Sequence, residues 1–239
     1  MRHDRPMLVL GHRGASDAAP ENSPEAFALA DAQGADGVEL DVRLAPDGRL
    51  LVAHDPLPLV VAEIDALDLP SLDDALEACG DRMLVNVEVK NWKGDADHHA
   101  PVVIAQPVLE VLRRHGPSER WLISSFSWST VAACRDLAPD LATACLTSSP
   151  VDPATIEQIS AAGHAAVHPN ELLVDAVLVA RCHEAGLAVN AWTCNDAGRL
   201  VELAALGVDG VCTDVPDVAL RALGRDGVDA APRWPAPAR

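Results

Sequence analysis

Eight short apolar runs alternate with helical patterns along the 239 residues of this chain, and this alternation restricts the possible folds more than any other feature. Runs such as 8–10 (LVL) and 83–85 (MLV) are apolar on both faces, which is typical of parallel strands covered by helices. Eight strand–helix units of roughly thirty residues match a (β/α)8 TIM barrel. An open doubly wound sheet is the competing topology, but segment 11–14 (GHRG) lacks the glycine spacing of its phosphate-binding loop. The predicted strands are 7–11, 37–42, 83–89, 121–125, 141–146, 165–168, 187–192 and 210–213.

Capping residues indicate where several helices begin and end. Ser23 offers an N-cap before a proline at the first helical position, and Gly34 predicts the end of that helix. Ser71 precedes an apolar stripe with helical spacing that Gly80 closes. Further helices are predicted from Asp152 to Gly163, up to Gly186, from Asn195 to Gly207, and over 101–115, where Pro107 predicts a kink or a late start.

The unit after strand 2 is longer than the others. Asp47 and Gly48 form a tight-turn signal, so Leu50 to Ala53 are expected to run back against strand 2 as a short hairpin insertion. Residues 1–223 are predicted to form a single (β/α)8 domain. The proline-rich segment 224–239 has little apolar content and is expected to be a disordered tail.

Composition excludes several kinds of partner. The formal charge of −18 argues against nucleic acid and against an anionic membrane surface, although a local cation would still allow a small anionic substrate. The six cysteines show no C-x-x-C spacing and are expected to be buried and reduced. The first apolar run is too short for a secretory signal, and there is no apolar stretch long enough to span a membrane, so a cytoplasmic location without membrane insertion is expected.

Acidic and basic side chains end several of the predicted strands. Glu39 and Asp41 lie two residues apart, as do Glu88 and Lys90, and residues so spaced in a strand point to the same face. Burying three carboxylates and a lysine is costly unless they are paired or bind a cation. Carboxylates without cysteine partners favour one hard divalent cation, Mg²⁺ or Ca²⁺, over zinc. Glu39, Asp41 and Glu88 are therefore candidate metal ligands.

Other polar residues are expected at the same end of the barrel. His12 and Arg13 end strand 1, and His54 follows the hairpin. Arg13 offers a planar fork for a phosphate and Lys90 a point charge, while two histidines suit proton transfer. Trp192 is a candidate for lining the pocket. A buried ion-pair network without metal is the alternative, but three carboxylates against two cations leave charge uncompensated.

Several segments, in this order, resemble the glycerophosphodiester phosphodiesterase family. The similarity extends over nearly the whole chain, and the combination is more specific than any one segment. The segments are 11–16 (GHRGAS), 20–23 (PENS), 36–42 (DGVELDV), 52–55 (VAHD), 86–90 (NVEVK), 122–126 (LISSF), 189–193 (VNAWT) and 209–214 (DGVCTD).

This resemblance implies a barrel enzyme, with residues 1–223 as its catalytic domain. It implies a divalent cation held by Glu39, Asp41 and Glu88, with His12 and His54 as general acid and base. The glycerol 2-hydroxyl of the substrate would attack phosphorus, and water would open the resulting cyclic phosphate to give sn-glycerol 3-phosphate and an alcohol.

One segment departs from the family pattern. Many members carry a polar, arginine- and threonine-rich stretch after the second histidine, whereas segment 56–61 (PLPLVV) is short and apolar here. Two alternatives therefore stay open: a phosphodiesterase for another substrate, such as a lysophospholipid, and a non-catalytic barrel that binds a phosphate metabolite. The sequence gives no prediction of the oligomeric state.

Overall fold

The structure, a computed structural model, describes residues 6–225 and 233–234. At its centre is a closed parallel barrel, whose first strand pairs with both the second strand and the last. Every strand except β3 belongs to the barrel, which confirms the predicted (β/α)8 TIM fold. The strands are β1 (Leu8–His12), β2 (Gly37–Leu44), β3 (Leu50–Val52), β4 (Leu84–Val89), β5 (Trp121–Ser125), β6 (Ala142–Thr147), β7 (Ala166–Pro169), β8 (Ala188–Ala191) and β9 (Gly210–Thr213).

Helices follow the strands and cover the outside of the barrel. The side chains of Ser23, Ser71 and Asp152 cap the helices that begin after them, as predicted. The helices are α1 (Pro24–Ala32), α2 (Val61–Asp65), α3 (Leu72–Ala78), α4 (Pro101–His115), α5 (Trp128–Leu137), α6 (Pro153–Ala161), α7 (Ala176–Glu184), α8 (Ala197–Ala205) and α9 (Pro216–Ala222).

Two helix starts differ from the prediction. Helix α4 begins at Pro101 and continues through Pro107, so the late start is wrong. Pro101 is at the first helical position, where a backbone N–H would have no hydrogen-bond partner within the helix, so proline costs nothing there. At Pro107 one helical hydrogen bond is lost, but the burial of apolar side chains such as Ile104 and Leu112 stabilises the helix by more than this loss. Helix α8 is capped by Asp196, which accepts a hydrogen bond from the Arg199 N–H.

The predicted hairpin is confirmed. Strand β3 pairs antiparallel to the end of β2, with Val42 opposite Val52. Gly48 adopts a positive φ of 90° in the turn, a conformation that glycine reaches without steric cost. After the hairpin the side chain of Leu57 is buried, and it packs with Leu51 and Ile64 in a small hydrophobic cluster. The hairpin thereby places residues 53–57 beside the carboxyl end of β2.

The amino-terminal end of the barrel is closed by the side chain of Trp234. Mostly small and aliphatic side chains line this end, including Leu10, Leu84 and Ala166, and the Trp234 ring packs among them with 7% of its surface exposed. Its Nε1 donates to the Arg120 carbonyl oxygen at 3.0 Å. Residues 226–232 and 235–239 of the predicted tail lie outside the described residues, so their expected disorder stays a prediction.

All six cysteines are buried, and none forms a disulfide, as the sequence predicted. Burial raises the pKa of the thiols of Cys79, Cys134 and Cys145 to about 12. Within residues 6–225 and 233–234, the structure contains no helix that is both long and apolar enough to cross a membrane.

Candidate active site

Three buried carboxylates meet at the carboxyl end of the barrel strands. Glu39 and Asp41 project from β2 and Glu88 from the adjacent β4, where the register places Asp41 opposite Glu88. Their exposed fractions are 4%, 1% and 8%. One oxygen from each carboxylate can be chosen so that all three lie within 4.8 Å of one another. The structure therefore brings together the three side chains that the sequence singled out as candidate ligands.

Two cationic side chains partly balance these acids. Lys90 Nζ lies 2.8 Å from Glu88 Oε1 and 3.4 Å from Asp41 Oδ1. Arg13 Nε lies 3.2 Å from Asp41 Oδ2, close enough for an ion pair but outside hydrogen-bond geometry. Arg13 Nη1 donates to both carboxylate oxygens of Glu21, each at 2.8 Å. Part of the Arg13 fork that the sequence assigns to phosphate is thus already occupied by Glu21.

The remaining negative charge is visible in the electrostatics of the cluster. Burial raises the pKa of Glu39 well above its ordinary value, and the nearby Asp41 and Glu88 carboxylates raise it further. Burial also raises the pKa of Glu88, with Asp41 adding to the shift. At Asp41 the effect of burial is outweighed by Lys90 and Arg13, so its pKa is lowered.

One carboxylate oxygen in this cluster lacks a partner. Glu39 Oε2 accepts a hydrogen bond from the Arg13 backbone N–H at 3.1 Å, whereas Glu39 Oε1 is buried without a hydrogen-bond partner among the described residues. Buried polar atoms are almost always satisfied in native proteins. An unsatisfied, crowded and purely oxygen-based cluster fits a hard divalent cation.

Asn22 orients the central carboxylate of the cluster. Its Nδ2 donates to Asp41 Oδ2 at 2.9 Å, and its Oδ1 accepts from the Asp41 backbone N–H at 3.2 Å. Asn22 has a φ of +58°, in the left-handed region that asparagine tolerates better than most residues. The sequence marks Asn22 only through the segment 20–23, and its role becomes clear from these two contacts.

His12 is held by a carboxylate that the sequence analysis did not assign to the site. Its Nδ1 donates to Asp214 Oδ1 at 2.6 Å, and Asp214 also accepts from Ser16 Oγ at 3.0 Å and Asn195 Nδ2 at 2.6 Å. Burial acts to raise the pKa of Asp214, but hydrogen bonds from His12, Asn195 and Ser16 outweigh it and lower the pKa to about 2. With Nδ1 engaged, Nε2 is the nitrogen of His12 that can exchange a proton with a substrate.

His54 lies on the wall of a cavity next to the acidic cluster. The cavity has a volume of about 310 Å³ and is lined by residues that include His54, Pro56, Glu88, Lys90, Trp92 and Phe126. Trp192 is not among the lining residues. Its ring packs edge-on against Phe126, with ring centroids 5.3 Å apart, and its Nε1 donates to the His168 carbonyl oxygen. Direct contact between Trp192 and a substrate therefore stays a prediction.

This parallel barrel carries carboxylates, a lysine and two histidines at the carboxyl ends of its strands. Barrel enzymes have their active sites at that face, so the fold and the site define the protein as a member of this broad class. The sequence profile of the glycerophosphoryl diester phosphodiesterase family matches residues 12–66 and 57–218 of this chain. The chain belongs to that family and is a phosphoric diester hydrolase.

Individual relatives agree with this assignment. A glycerophosphodiester phosphodiesterase of Bacillus altitudinis is 30% identical over 244 residues, covering 89% of this chain and 96% of that protein. One from Caldanaerobacter subterraneus is 29% identical over 250 residues, covering 92% of this chain and 99% of that protein. Among solved structures, an Oleispira antarctica phosphodiesterase in complex with the product sn-glycerol-3-phosphate is 26% identical, with a TM-score of 0.81 and coverage of 93% and 99%.

Proposed function

We propose that this protein hydrolyses glycerophosphodiesters to sn-glycerol 3-phosphate and an alcohol, using one divalent cation held by Glu39, Asp41 and Glu88. The observation that carries the proposal is the approach of these three buried carboxylates to within 4.8 Å, with Glu39 Oε1 left without a described partner. The similarity to a phosphodiesterase that binds sn-glycerol-3-phosphate supports the choice of substrate.

When bound, Mg²⁺ or Ca²⁺ would neutralise a phosphate oxygen and make a coordinated hydroxyl more acidic. Lys90 contributes a further positive charge on the cavity wall, beside Glu88. Arg13 contacts the phosphate through Nη2, since Nη1 is held by Glu21. Trp192 supports the aromatic wall from behind Phe126.

His12 and His54 carry the protons. In the first step one histidine accepts the proton of the glycerol 2-hydroxyl as its oxygen bonds to phosphorus. The other donates a proton to the alcohol oxygen as the bond from phosphorus to that oxygen breaks. In the second step water opens the cyclic phosphate with the two roles reversed. Asp214 accepts the hydrogen bond from Nδ1 and so keeps His12 in one tautomer.

The test is turnover of a panel of glycerophospho-alcohols with added Mg²⁺ or Ca²⁺, followed by phosphorus NMR. We expect sn-glycerol 3-phosphate as the product, with activity lost in chelator and in Glu39→Gln. Glu25→Gln, which removes an exposed acid on α1, serves as the matched control and should retain activity. Hydrolysis at an unchanged rate after complete removal of divalent cations would contradict the proposal.

The cavity wall also supports a second substrate, a lysophospholipid. Trp92 lines the cavity with 59% of its surface exposed, and Leu59 and Val60, which follow the cavity residue Pro56, are exposed as well. These apolar surfaces suit an acyl chain carried on the glycerol of the substrate, with the leaving alcohol unchanged. Release of a lipid product from a lysophospholipid faster than of ethanolamine from glycerophosphoethanolamine would favour this second substrate, and the reverse order would favour the first.

A further inference from the structure

The position of His54 is not set by its own side chain. Its imidazole is 40% exposed, and its hydrogen-bond partner among the described residues is the Asp55 carboxylate, which is itself largely in solvent. Such an exposed pair contributes little rigidity. A group that transfers protons must nevertheless be held close to its productive geometry, because a displacement of about 1 Å can cost about a hundredfold in rate. The backbone must therefore supply the positioning.

The backbone of His54 is held by Arg43. Arg43 Nε and Nη2 both donate to the His54 carbonyl oxygen, at 3.0 and 2.7 Å. Arg43 lies on β2, two residues beyond Asp41, and its side chain is 3% exposed. Strand β2 thus carries two candidate metal ligands and also the residue that fixes the second histidine.

The other side of the Arg43 guanidinium is held by two acids from the loop after β4. Arg43 Nη1 lies 2.9 Å from Asp97 Oδ1, 3.0 Å from Asp97 Oδ2 and 3.1 Å from Asp95 Oδ2. Asp97 Oδ2 also accepts from the Leu57 backbone N–H at 3.0 Å. The segment 54–57 is therefore held at its first residue by Arg43 and at its last by Asp97.

The geometry points to Arg43, anchored by Asp97, as a positioning residue that fixes His54 for proton transfer. This inference rests on the proposed function, in which His54 acts on the substrate. The planar fork is essential, because Nε and Nη2 share one carbonyl oxygen while Nη1 reaches the acids in the same plane. Lysine keeps the charge at this position but not the fork.

The test is Arg43→Lys, combined with His54→Ala in a double-mutant cycle and measured by steady-state kinetics with substrate in excess of enzyme. In the wild-type background we expect kcat to fall about 10- to 100-fold while KM changes less than about twofold. The stabilisation of the protein by added Mg²⁺ or Ca²⁺ should be unchanged. In the His54→Ala background Arg43→Lys should cause no further loss, because the group that it positions has gone.

Arg225→Lys is the matched control. The side chain of Arg225 is also largely buried, with 8% of its surface exposed. It binds the Asp36 carboxylate through two nitrogens and donates to the Met7 carbonyl oxygen, but at the amino-terminal end of the barrel. It should keep kcat even where its thermal stability falls. If Arg43→Lys does not fold, Asp97→Asn takes its place, since it keeps the side-chain shape and the acceptor for Leu57 but removes a charge that holds Arg43. Asp97→Asn should lower kcat when His54 is present and should cause no further loss in the His54→Ala background.

The outcomes separate the two proposals. An equal loss of kcat from Arg43→Lys in both backgrounds means that Arg43 acts on the whole site, and overturns the positioning role while leaving the proposed function intact. An unchanged kcat in His54→Ala alone contradicts the proposed role of His54 and the inference with it. A loss confined to the background that contains His54 supports both.

Discussion

His12 Nδ1 and Asp214 Oδ1 lie 2.6 Å apart, although 202 residues separate them in the chain. The barrel accounts for this proximity, because β1 and β9 are neighbouring strands and both residues occur at their carboxyl ends. A carboxylate on Nδ1 fixes the ring and the tautomer, so that Nε2 is the nitrogen left for the proposed proton transfer. Barrel closure thereby brings the ends of the first and last strands together at the proposed active site.

We expect Asp214→Asn to lower kcat about 10- to 100-fold, because the imidazole loses its fixed orientation. His12→Ala should cost more, about 10²- to 10⁴-fold, since the proton-transfer group itself is removed. Steady-state kinetics on a glycerophosphodiester measures both. In both variants the cation should still raise the melting temperature. Equal kcat values for Asp214→Asn and the wild type would contradict this role for Asp214.

Asp214 should also contribute a pH-dependent part of the stability. Its pKa is lowered to about 2 in the folded protein, below the value of about 3.9 for an unfolded chain. The ionised group therefore stabilises the folded state above about pH 4, and this contribution is lost as the pH falls towards 2. Urea unfolding should show the wild type more stable than Asp214→Asn at pH 6, with the difference shrinking at pH 3. A constant difference would mean that charge is not its cause.

Glu39→Gln should stabilise the cation-free protein and abolish the effect of the cation. The pKa of Glu39 is raised on folding, so its ionised form opposes folding as the pH rises through the folded pKa. Glutamine removes this charge and keeps an oxygen for the Arg13 backbone N–H. Thermal melts at neutral pH, with chelator and with excess Mg²⁺ or Ca²⁺, measure both effects. A variant that still melts higher with the cation would show that Glu39 is not a ligand.

Trp234→Ala should cost about 3–5 kcal/mol in the free energy of unfolding, because it leaves a cavity in the barrel core. The matched control is Trp92→Ala. Trp92 is largely exposed, so its removal should change stability by no more than about 0.5 kcal/mol. Chemical denaturation compares the two variants. A loss below about 1 kcal/mol for Trp234→Ala would mean that the ring is dispensable for closing the barrel.

The strands and the acidic cluster could be predicted from the local pattern of apolar and polar residues in the sequence. Buried parallel strands are continuous apolar runs, so their limits are readable to within a few residues, and the period of two predicts that Glu39 and Asp41 face inward together. Once the barrel is assumed, the strand order brings Glu88 beside them. Short-range sequence patterns, together with the assumption of a barrel, are therefore enough to identify the candidate metal ligands.

The residues that position the histidines were missed because their partners are distant in sequence. Arg43 continues the alternation of Glu39 and Asp41, which signals that it faces inward but not that it reaches the His54 carbonyl oxygen. Asp214 follows β9 directly, and the rule that functional residues end barrel strands would have found it. Trp234 lies in a segment of low apolar content, and only its three-dimensional neighbours reveal its burial.

The burial of all six thiols has a practical consequence. Maleimides and similar reagents need a thiolate whose sulfur is accessible to solvent. Here the raised pKa values keep the thiols protonated, and burial keeps the reagents away from the sulfur atoms. A cysteine introduced at an exposed position such as Glu25 would be the preferred target for a fluorophore in the native protein. Single-site labelling would then need no prior removal of the natural cysteines.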